Sequence, residues 1–327
     1  MTSVLSIYPN CSKGGMATVY RTRALAHPEE KHDFLFMNDR GGRAAFDSLP
    51  NTEYRIIPKG RFTPALSFIT RHFDYDKVRV TSLPEVASQL AEALPDKVTY
   101  EFHTSTKSIV EGELKRLDID AVRNIQTPSR WLTNVVARRL SRAQASKCLT
   151  VPNLVDRTTF NDSVPPAVRD LEDGLIPLLW IGRFDKGKNF NDFLRVLSLL
   201  PDHYVPIVVV SYETEPDRIA RALQEARFYG VVDCMQTHLN LSQEQLARLY
   251  TWARLRGGLF LSTSLAESYG YSVAEALACG LPTVAYRVGG IPEIPTYGTS
   301  RELISVGDVP GMAAAVERLT AEPDHRV

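Results

Sequence analysis

Two carboxylates, Glu267 and Glu275, bracket a glycine-containing turn within residues 259–294, LFLSTSLAESYGYSVAEALACGLPTVAYRVGGIPEI. The residue order predicts a strand, a turn at Ser268, Tyr269, Gly270, Tyr271 and Ser272, and a short helix ending at Gly280. Backbone N–H groups at such a turn point at a bound anion, and the helix dipole favours negative charge there. A carboxylate repels phosphate but accepts hydrogen bonds from sugar hydroxyls. A phosphate-cradling turn between two such acceptors suits a nucleotide sugar. A plainer reading competes for Glu275, because Ser272-x-x-Glu275 is a capping-box pattern whose glutamate only ties down a helix start. Glu267 has no such role.

A second group lies upstream in LLWIGRFDKGKNF, residues 178–190, where Arg183 follows a predicted strand end and Lys188 stands at a helix start. When a glycosidic bond to a nucleoside diphosphate breaks, negative charge grows on the leaving phosphate. Fixed cations beside it lower that barrier without a metal. Arginine offers a fork to phosphate oxygens and lysine a compact charge. The bland alternative is a solvated basic turn. In the first half, Gly14 and Gly15 sit at a strand-to-helix turn in NCSKGGMATVY, where a missing Cβ lets a ligand approach the backbone. The segment VTYEFHTSTKSI places His103 at a strand end, followed by Thr104, and a single histidine there is equally compatible with a structural role. Residues 55–73, RIIPKGRFTPALSFITRHF, set Arg55, Lys59, Arg61, Arg71 and His72 among three phenylalanines. Such interleaving fits nucleic acid, an anionic membrane surface or a phosphorylated acceptor. It equally fits an amphipathic helix with a core stripe of Leu66, Ile69 and Phe73.

The elements that must position these residues alternate short apolar runs with helical patterns, the arrangement of a parallel sheet covered by helices. Strands are expected at 3–9, 33–38, 54–58, 78–82, 98–103 and 122–127, with helices at 16–26, 85–94 and 131–142. Residues 161–175, NDSVPPAVRDLEDGL, break the pattern with tandem prolines and read as a linker. Strands then follow at 178–182, 205–211, 259–262, 283–286 and 303–305. Helices are expected at 191–200, 216–228, 243–253, 273–279 and 310–320, the third opened by a capping box at Ser242 and Gln245. The expectation is an α/β chain of two Rossmann-like domains, 1–165 and 166–327. Open parallel sheets bind ligands at the carboxyl ends of their strands, so the active site is expected in an interdomain cleft.

These segments resemble glycosyltransferase family 4, of the GT-B fold. The family carries E-x7-E within S-x-x-E-x-[FY]-G-x-x-x-x-E-A-x-x-x-G-x-P, and this chain supplies Ser264, Glu267, Tyr269, Gly270, Glu275, Ala276, Gly280 and Pro282. The family's G-R-x-x-x-x-K-[GN] is matched by Gly182, Arg183, Lys188 and Asn189. Thr263 stands where proline is common, Ser268 where glycine is common, and Ser211 and Tyr212 where the family has a Gly-rich strand end. The resemblance implies that Glu267 and the turn after it read the donor sugar and that Glu275 holds the ribose. It also implies that Gly15 lines the active site and that His103 orients the sugar by hydrogen bonding rather than as a nucleophile. The 232–238 stretch would face the base. The implied reaction retains anomeric configuration and needs no metal or cofactor beyond the co-substrate, a nucleoside-diphosphate sugar, with a UDP-sugar expected. The first domain would form the acceptor side, with Gly14, Thr104, Lys59 and Arg61 as candidates, and the second the donor side. Most relatives end with a helix crossing back onto the first domain; the chain stops at LTAEPDHRV without room for one, whether by nature or by truncation.

Composition narrows the alternatives. Hydrophobic residues at 44% and charged residues at 23% describe a soluble globular protein. The four scattered cysteines make neither a disulfide framework nor a CxxC metal pair, and they fit a reducing compartment. With no apolar run of about 20 residues and no signal-peptide pattern, the expected location is the cytoplasm, with peripheral contact at the inner membrane face allowed. The neutral total hides an asymmetry: residues 1–165 hold 23 Lys and Arg against 18 Asp and Glu, leaving 15 against 20 for the remainder. A basic first half suits an anionic acceptor such as a phospholipid, a phosphorylated molecule or modified DNA, although a lipid, glycan or small molecule in general fits the donor chemistry. Two rivals stand beside the transferase: a catalytically silent nucleotide-sugar-binding protein, and another GT-B enzyme such as a non-hydrolysing nucleotide-sugar epimerase.

Overall fold

Short apolar runs become parallel strands here because each is followed by an amphipathic stretch that returns the chain over the sheet. The computed structural model describes residues 2–12, 14–47, 49–167, 171–210 and 216–321. The chain divides into two compact units, Met1–Asp156 and Arg157–Val327. The division falls ahead of the Pro-Pro segment because the residues after Asp156 pack on the second unit. Phe160 is buried beside Tyr250, Arg254 donates to the Asp162 carbonyl (3.0 Å), and Ala167 N–H donates to the Arg248 carbonyl (2.9 Å).

The first unit runs β1 (Thr2–Ser12), α1 (Gly15–Ala26), β2 (Glu30–Arg40), β3 (Thr52–Ile56), α2 (Lys59–His72), β4 (Lys77–Thr81), α3 (Pro84–Ala93) and β5 (Val98–Glu101). It continues with α4 (Lys107–Leu114), β6 (Asn124–Thr127), α5 (Arg130–Ala137), α6 (Arg142–Ala145) and β7 (Cys148–Thr150). Its seven strands are parallel in the order β3-β2-β1-β4-β5-β6-β7. Ile7, Val78, Val80, Val98, Tyr100 and Phe102 are fully buried, as expected of strands covered on both faces.

The second unit comprises β8 (Ile176–Gly182), α7 (Phe190–Leu197), β9 (Tyr204–Val210), α8 (Pro216–Phe228), β10 (Gln236–Leu239), α9 (Gln243–Leu255) and β11 (Leu259–Ser262). α10 (Tyr271–Ala278), β12 (Thr283–Tyr286), β13 (Arg301–Ile304) and α11 (Val309–Ala321) complete it. Its six parallel strands follow the order β10-β9-β8-β11-β12-β13. Each sheet therefore reverses direction once, between β1 and β4 in the first and between β8 and β11 in the second. Such reversals open the crevice that doubly wound sheets use for ligands.

Each strand and helix expected from the sequence has a counterpart among the described residues, including the capping box in which Ser242 and Gln245 exchange side-chain bonds with each other's N–H groups. Among the described residues, α4, α6, β7 and the edge strand β10 were not expected. The expected 131–142 helix is interrupted, and Ser141 starts a separate turn with its own capping box. The core stripe of α2 is Phe62, Leu66 and Ile69, not the expected Leu66, Ile69 and Phe73. Phe73 lies beyond the helix in extended backbone (φ −123°, ψ 132°) and is 45% exposed, so the helical register that would have buried it has already ended.

Candidate functional site

The two chemically suggestive segments of the second unit follow the neighbouring strands β8 and β11, on the two sides of the reversal. β8 ends at Gly182, where a Cβ would meet the Trp180 ring at 3.0 Å and Lys188 Cγ at 3.1 Å. The chain then turns through Arg183 to Asn189, and Asn189 adopts the left-handed conformation (φ 49°) before α7. Asp185 organises the turn. Its carboxylate accepts from the Lys188 N–H (2.9 Å) and from Arg183 Nε (2.9 Å). Burial works against ionisation of Asp185, but the Lys188 N–H and the Arg183 charge outweigh it and hold the carboxyl below its ordinary range. Arg183 remains about half exposed.

Thr263, the residue after β11, ties the two segments together. Its buried hydroxyl accepts from Trp180 Nε1 (3.1 Å) and reaches the carbonyls of Lys188 (3.1 Å) and Asn189 (2.9 Å). The Leu265 N–H donates to the Gly187 carbonyl (2.8 Å). This lacing brings Lys188 Nζ to 2.5 Å from Glu267 Oε1. Glu267 is fixed from its other side too. Its carbonyl accepts the Gly290 N–H (3.0 Å), and a Cβ on Gly289 (φ 52°) would stand 1.8 Å from that oxygen. Asp185, Thr263 and the Gly289–Gly290 pair are thus positioning residues to which the sequence reading gave no role. The doubled glycine and the departure at Thr263 were the signals visible in the sequence.

Gly270 (φ 102°) precedes α10, and no side-chain hydrogen bond caps that helix. Because α10 begins at Tyr271, Ser272 lies inside its first turn and Glu275 beyond it, so the capping-box reading of Glu275 is not realised. Glu275 is 7% exposed and makes no side-chain hydrogen bond among the described residues. Burial pushes its pKa from 4.5 up to about 8, against the opposing influence of the Lys188 charge. Tyr269 is buried with its ring edge-on to Tyr271, Ser268 is half-buried, and the Ser272 carbonyl accepts from Tyr250 Oη (3.1 Å). Gly280 (φ 75°) closes the segment after α10. The fold thus gathers Arg183, Lys188, Glu267 and Glu275 at one sheet reversal, beside an uncapped helix start. Ser211 and Tyr212 lie outside the described residues, and the 232–238 stretch leads into β10.

In the first unit Gly14 precedes α1 with no side-chain cap, and Gly15 begins the helix fully open, with no atom within 4 Å of a Cβ built there. His103 lies two residues past β5 rather than in it, with its side chain 10% exposed and Nε2 3.5 Å from Glu101 Oε2. Glu101 is completely buried. Both its oxygens accept from Arg23 Nη1 (2.9 and 3.0 Å), and Thr81 Oγ1 lies 3.4 Å away. Burial alone would raise the Glu101 pKa, but Arg23, His103 and Arg79 outweigh it and hold the carboxyl far below its usual range. Thr104 is turned inward on its own loop, where Oγ1 accepts the Thr106 N–H (3.1 Å). Lys59 and Arg61 are exposed at the start of α2. No hydrogen bond or ion pair among the described residues joins them to Gly14, Gly15, His103 or Thr104. The same residues contain no group of three or more His, Cys, Asp or Glu arranged to hold a metal ion, and no helix long and apolar enough to cross a membrane.

Two doubly wound parallel units of seven and six strands give the chain the GT-B fold. The chain matches the family described as Glycosyl transferases group 1 over residues 177–322, somewhat less than half of its length. It is 45% identical over 69 residues to the N-acetyl-alpha-D-glucosaminyl L-malate synthase of Bacillus anthracis, covering 21% of this chain and 18% of that protein. It is 31% identical over 204 residues to D-inositol 3-phosphate glycosyltransferase 2 of Catenulispora acidiphila, covering 58% of this chain and 46% of that one. The matches thus span less than half the length of both relatives. In fold the chain is similar to HepE of Anabaena, solved in complex with UDP and glucose, with a TM-score of 0.79 at 14% identity, covering 100% of this chain and 92% of that one.

Proposed function

We propose that the protein is a retaining glycosyltransferase that moves a sugar from a nucleoside-diphosphate sugar to an acceptor hydroxyl. The observation that carries this reading is the Lys188–Glu267 pair held at the β8/β11 reversal beside the uncapped start of α10. In this assignment the diphosphate lies against the α10 N–H groups, Arg183 and Lys188. Glu267 accepts from the sugar hydroxyls, Glu275 from the ribose, and Ser268–Ser272 shape the turn between them. The bond from the anomeric carbon to the phosphate oxygen breaks, and its electron pair passes to the phosphate, where the two cations stabilise the growing charge. The acceptor oxygen arrives on the same face, and its proton passes to the departing phosphate. His103, Gly14 and Gly15 keep the roles that the resemblance implies.

Uridine is the proposed base, supported by the UDP bound to the Anabaena neighbour. For the acceptor we favour an anionic hydroxyl compound, a phospholipid, phosphorylated molecule or modified DNA, met by Lys59 and Arg61 of the basic first unit, with contact at the inner membrane face if it is a lipid. Four free cysteines support a cytoplasmic setting.

The test is a donor screen with UDP-, GDP-, ADP- and TDP-sugars. A donor at 100 times its Kd adds about 2.7 kcal/mol of stability, a clear rise in melting temperature. The selected donor should be slowly hydrolysed, and His103→Ala should lower turnover while leaving nucleotide affinity intact. No shift and no hydrolysis with any donor would refute the transferase; a shift without turnover on any acceptor would favour the silent binding protein.

A further inference from the structure

We propose that Glu267 and the donor diphosphate compete for Lys188, so that the ion pair re-forms once the sugar has left and expels the nucleoside diphosphate. The inference rests on the donor-site reading above and adds a product-release role to the same residues. Lys188 Nζ is 2.5 Å from Glu267 Oε1, and the side chains are 24% and 15% exposed, so each is substantially removed from water and satisfied by the other. Neither end is loose. The Lys188 backbone is bound by Asp185 and Thr263, and the Glu267 carbonyl by the Gly290 N–H.

A diphosphate that draws Lys188 fully onto itself takes it from Glu267. An intact donor compensates, because its sugar hydroxyls donate to the released carboxylate. A nucleoside diphosphate without its sugar offers no such donor, and it leaves Glu267 unpaired and facing like charge. The carboxylate therefore discriminates against product by repulsion as well as recognising substrate by attraction. Arg183 is tied to Asp185 at 2.9 Å in a similar way, but it is 52% exposed, so water replaces that partner more easily.

The experiment is isothermal titration of UDP and UDP-glucose, or of the pair that the donor screen selects, into wild type and Glu267→Gln. The expected result is a change of opposite sign: UDP binds about fivefold to tenfold more tightly to the variant, as expected for freeing a partly buried lysine from its partner, while the UDP-sugar binds more weakly. In a Lys188→Gln background the Glu267→Gln gain for UDP should disappear; an undiminished gain there would overturn the competition for Lys188. Unchanged or weakened UDP binding in Glu267→Gln would overturn it as well. Should that variant fail to fold, Glu267→Asp, which keeps the charge but retracts it from Lys188, should show the same gain for UDP. Wild type that binds neither ligand of any tested pair would instead remove the donor-site reading itself.

Discussion

Glu275 offers the sharpest test, because its burial makes a prediction about stability and a separate one about binding. Below pH 4.5 its carboxyl is protonated in both folded and unfolded chains, and its contribution to stability is fully present. As pH rises from 4.5 towards about 8 the unfolded chain ionises while the folded one keeps its proton, so stability falls. Above about 8 the loss is complete, and over that window it is on the order of 5 kcal/mol. Glu275→Gln removes the titration while keeping the shape. Its urea midpoint should therefore match wild type near pH 5 and move progressively above it towards pH 9, followed by tryptophan fluorescence, to which Trp180 and Trp252 of the second unit contribute. Nucleotide binding should carry the opposite slope. Ribose hydroxyls donating to Glu275 favour the ionised form, so wild-type affinity should rise by up to about tenfold per pH unit below about pH 8, relative to the glutamine variant. Parallel unfolding midpoints across the pH range would refute the buried-acid argument. A wild-type affinity that falls with pH relative to Glu275→Gln would refute the acceptor role.

Two further substitutions test the supports. Glu101→Ala should cost about 3 to 5 kcal/mol in urea unfolding, because it strands Arg23 in a buried site; a cost under about 1 kcal/mol would mean that water replaces the carboxylate there. Gly289→Ala should cost more than about 1 kcal/mol and weaken sugar-nucleotide binding, since both its positive φ and the Glu267 carbonyl leave no room for a methyl group; donor affinity equal to wild type would show that Glu267 does not depend on this contact.

The sheet pattern was legible because buried parallel strands are continuous apolar runs, and 205–210 or 259–262 hardly admit another reading. Elements that depend on partners were not legible. β10 alternates between half-buried and exposed positions and pairs only with β9, so its run carries little hydrophobic signal. The α2 stripe was misplaced by one turn because periodicity alone does not say where a helix stops. Phe62 and Phe73 offer equivalent patterns until the chain turns extended after His72. Within the site, Arg183, Lys188, Glu267 and Glu275 stood out by type and spacing. Glu101 did not, since its meaning lies in Arg23 from α1 and Arg79 and Thr81 from β4, residues distant in sequence. Thr263 registered only as a departure from proline. Its hydroxyl makes three contacts that proline lacks, and these set the height of Lys188 beside Glu267.

The two carboxylates that first suggested a nucleotide sugar are built for different tasks. Glu267 has a partner to exchange: its lysine is held on a laced turn, and whatever takes that lysine must offer the carboxylate new donors. Glu275 is buried without a hydrogen bond among the described residues, and the Lys188 charge offsets only part of the cost of ionising it there. A ligand that brings hydroxyl donors offsets the remainder. Two environments that set paired acids apart are a common mark of divided roles. Under the proposed function the division suits a ligand carrying hydroxyls on both sides of a diphosphate, as a nucleotide sugar does. Occupation of one side also changes the demand on the other, because Lys188 acts on both carboxylates. Removing Lys188 should therefore alter the pH dependence at Glu275 as well as the diphosphate affinity, a coupling that two independent subsites would not show.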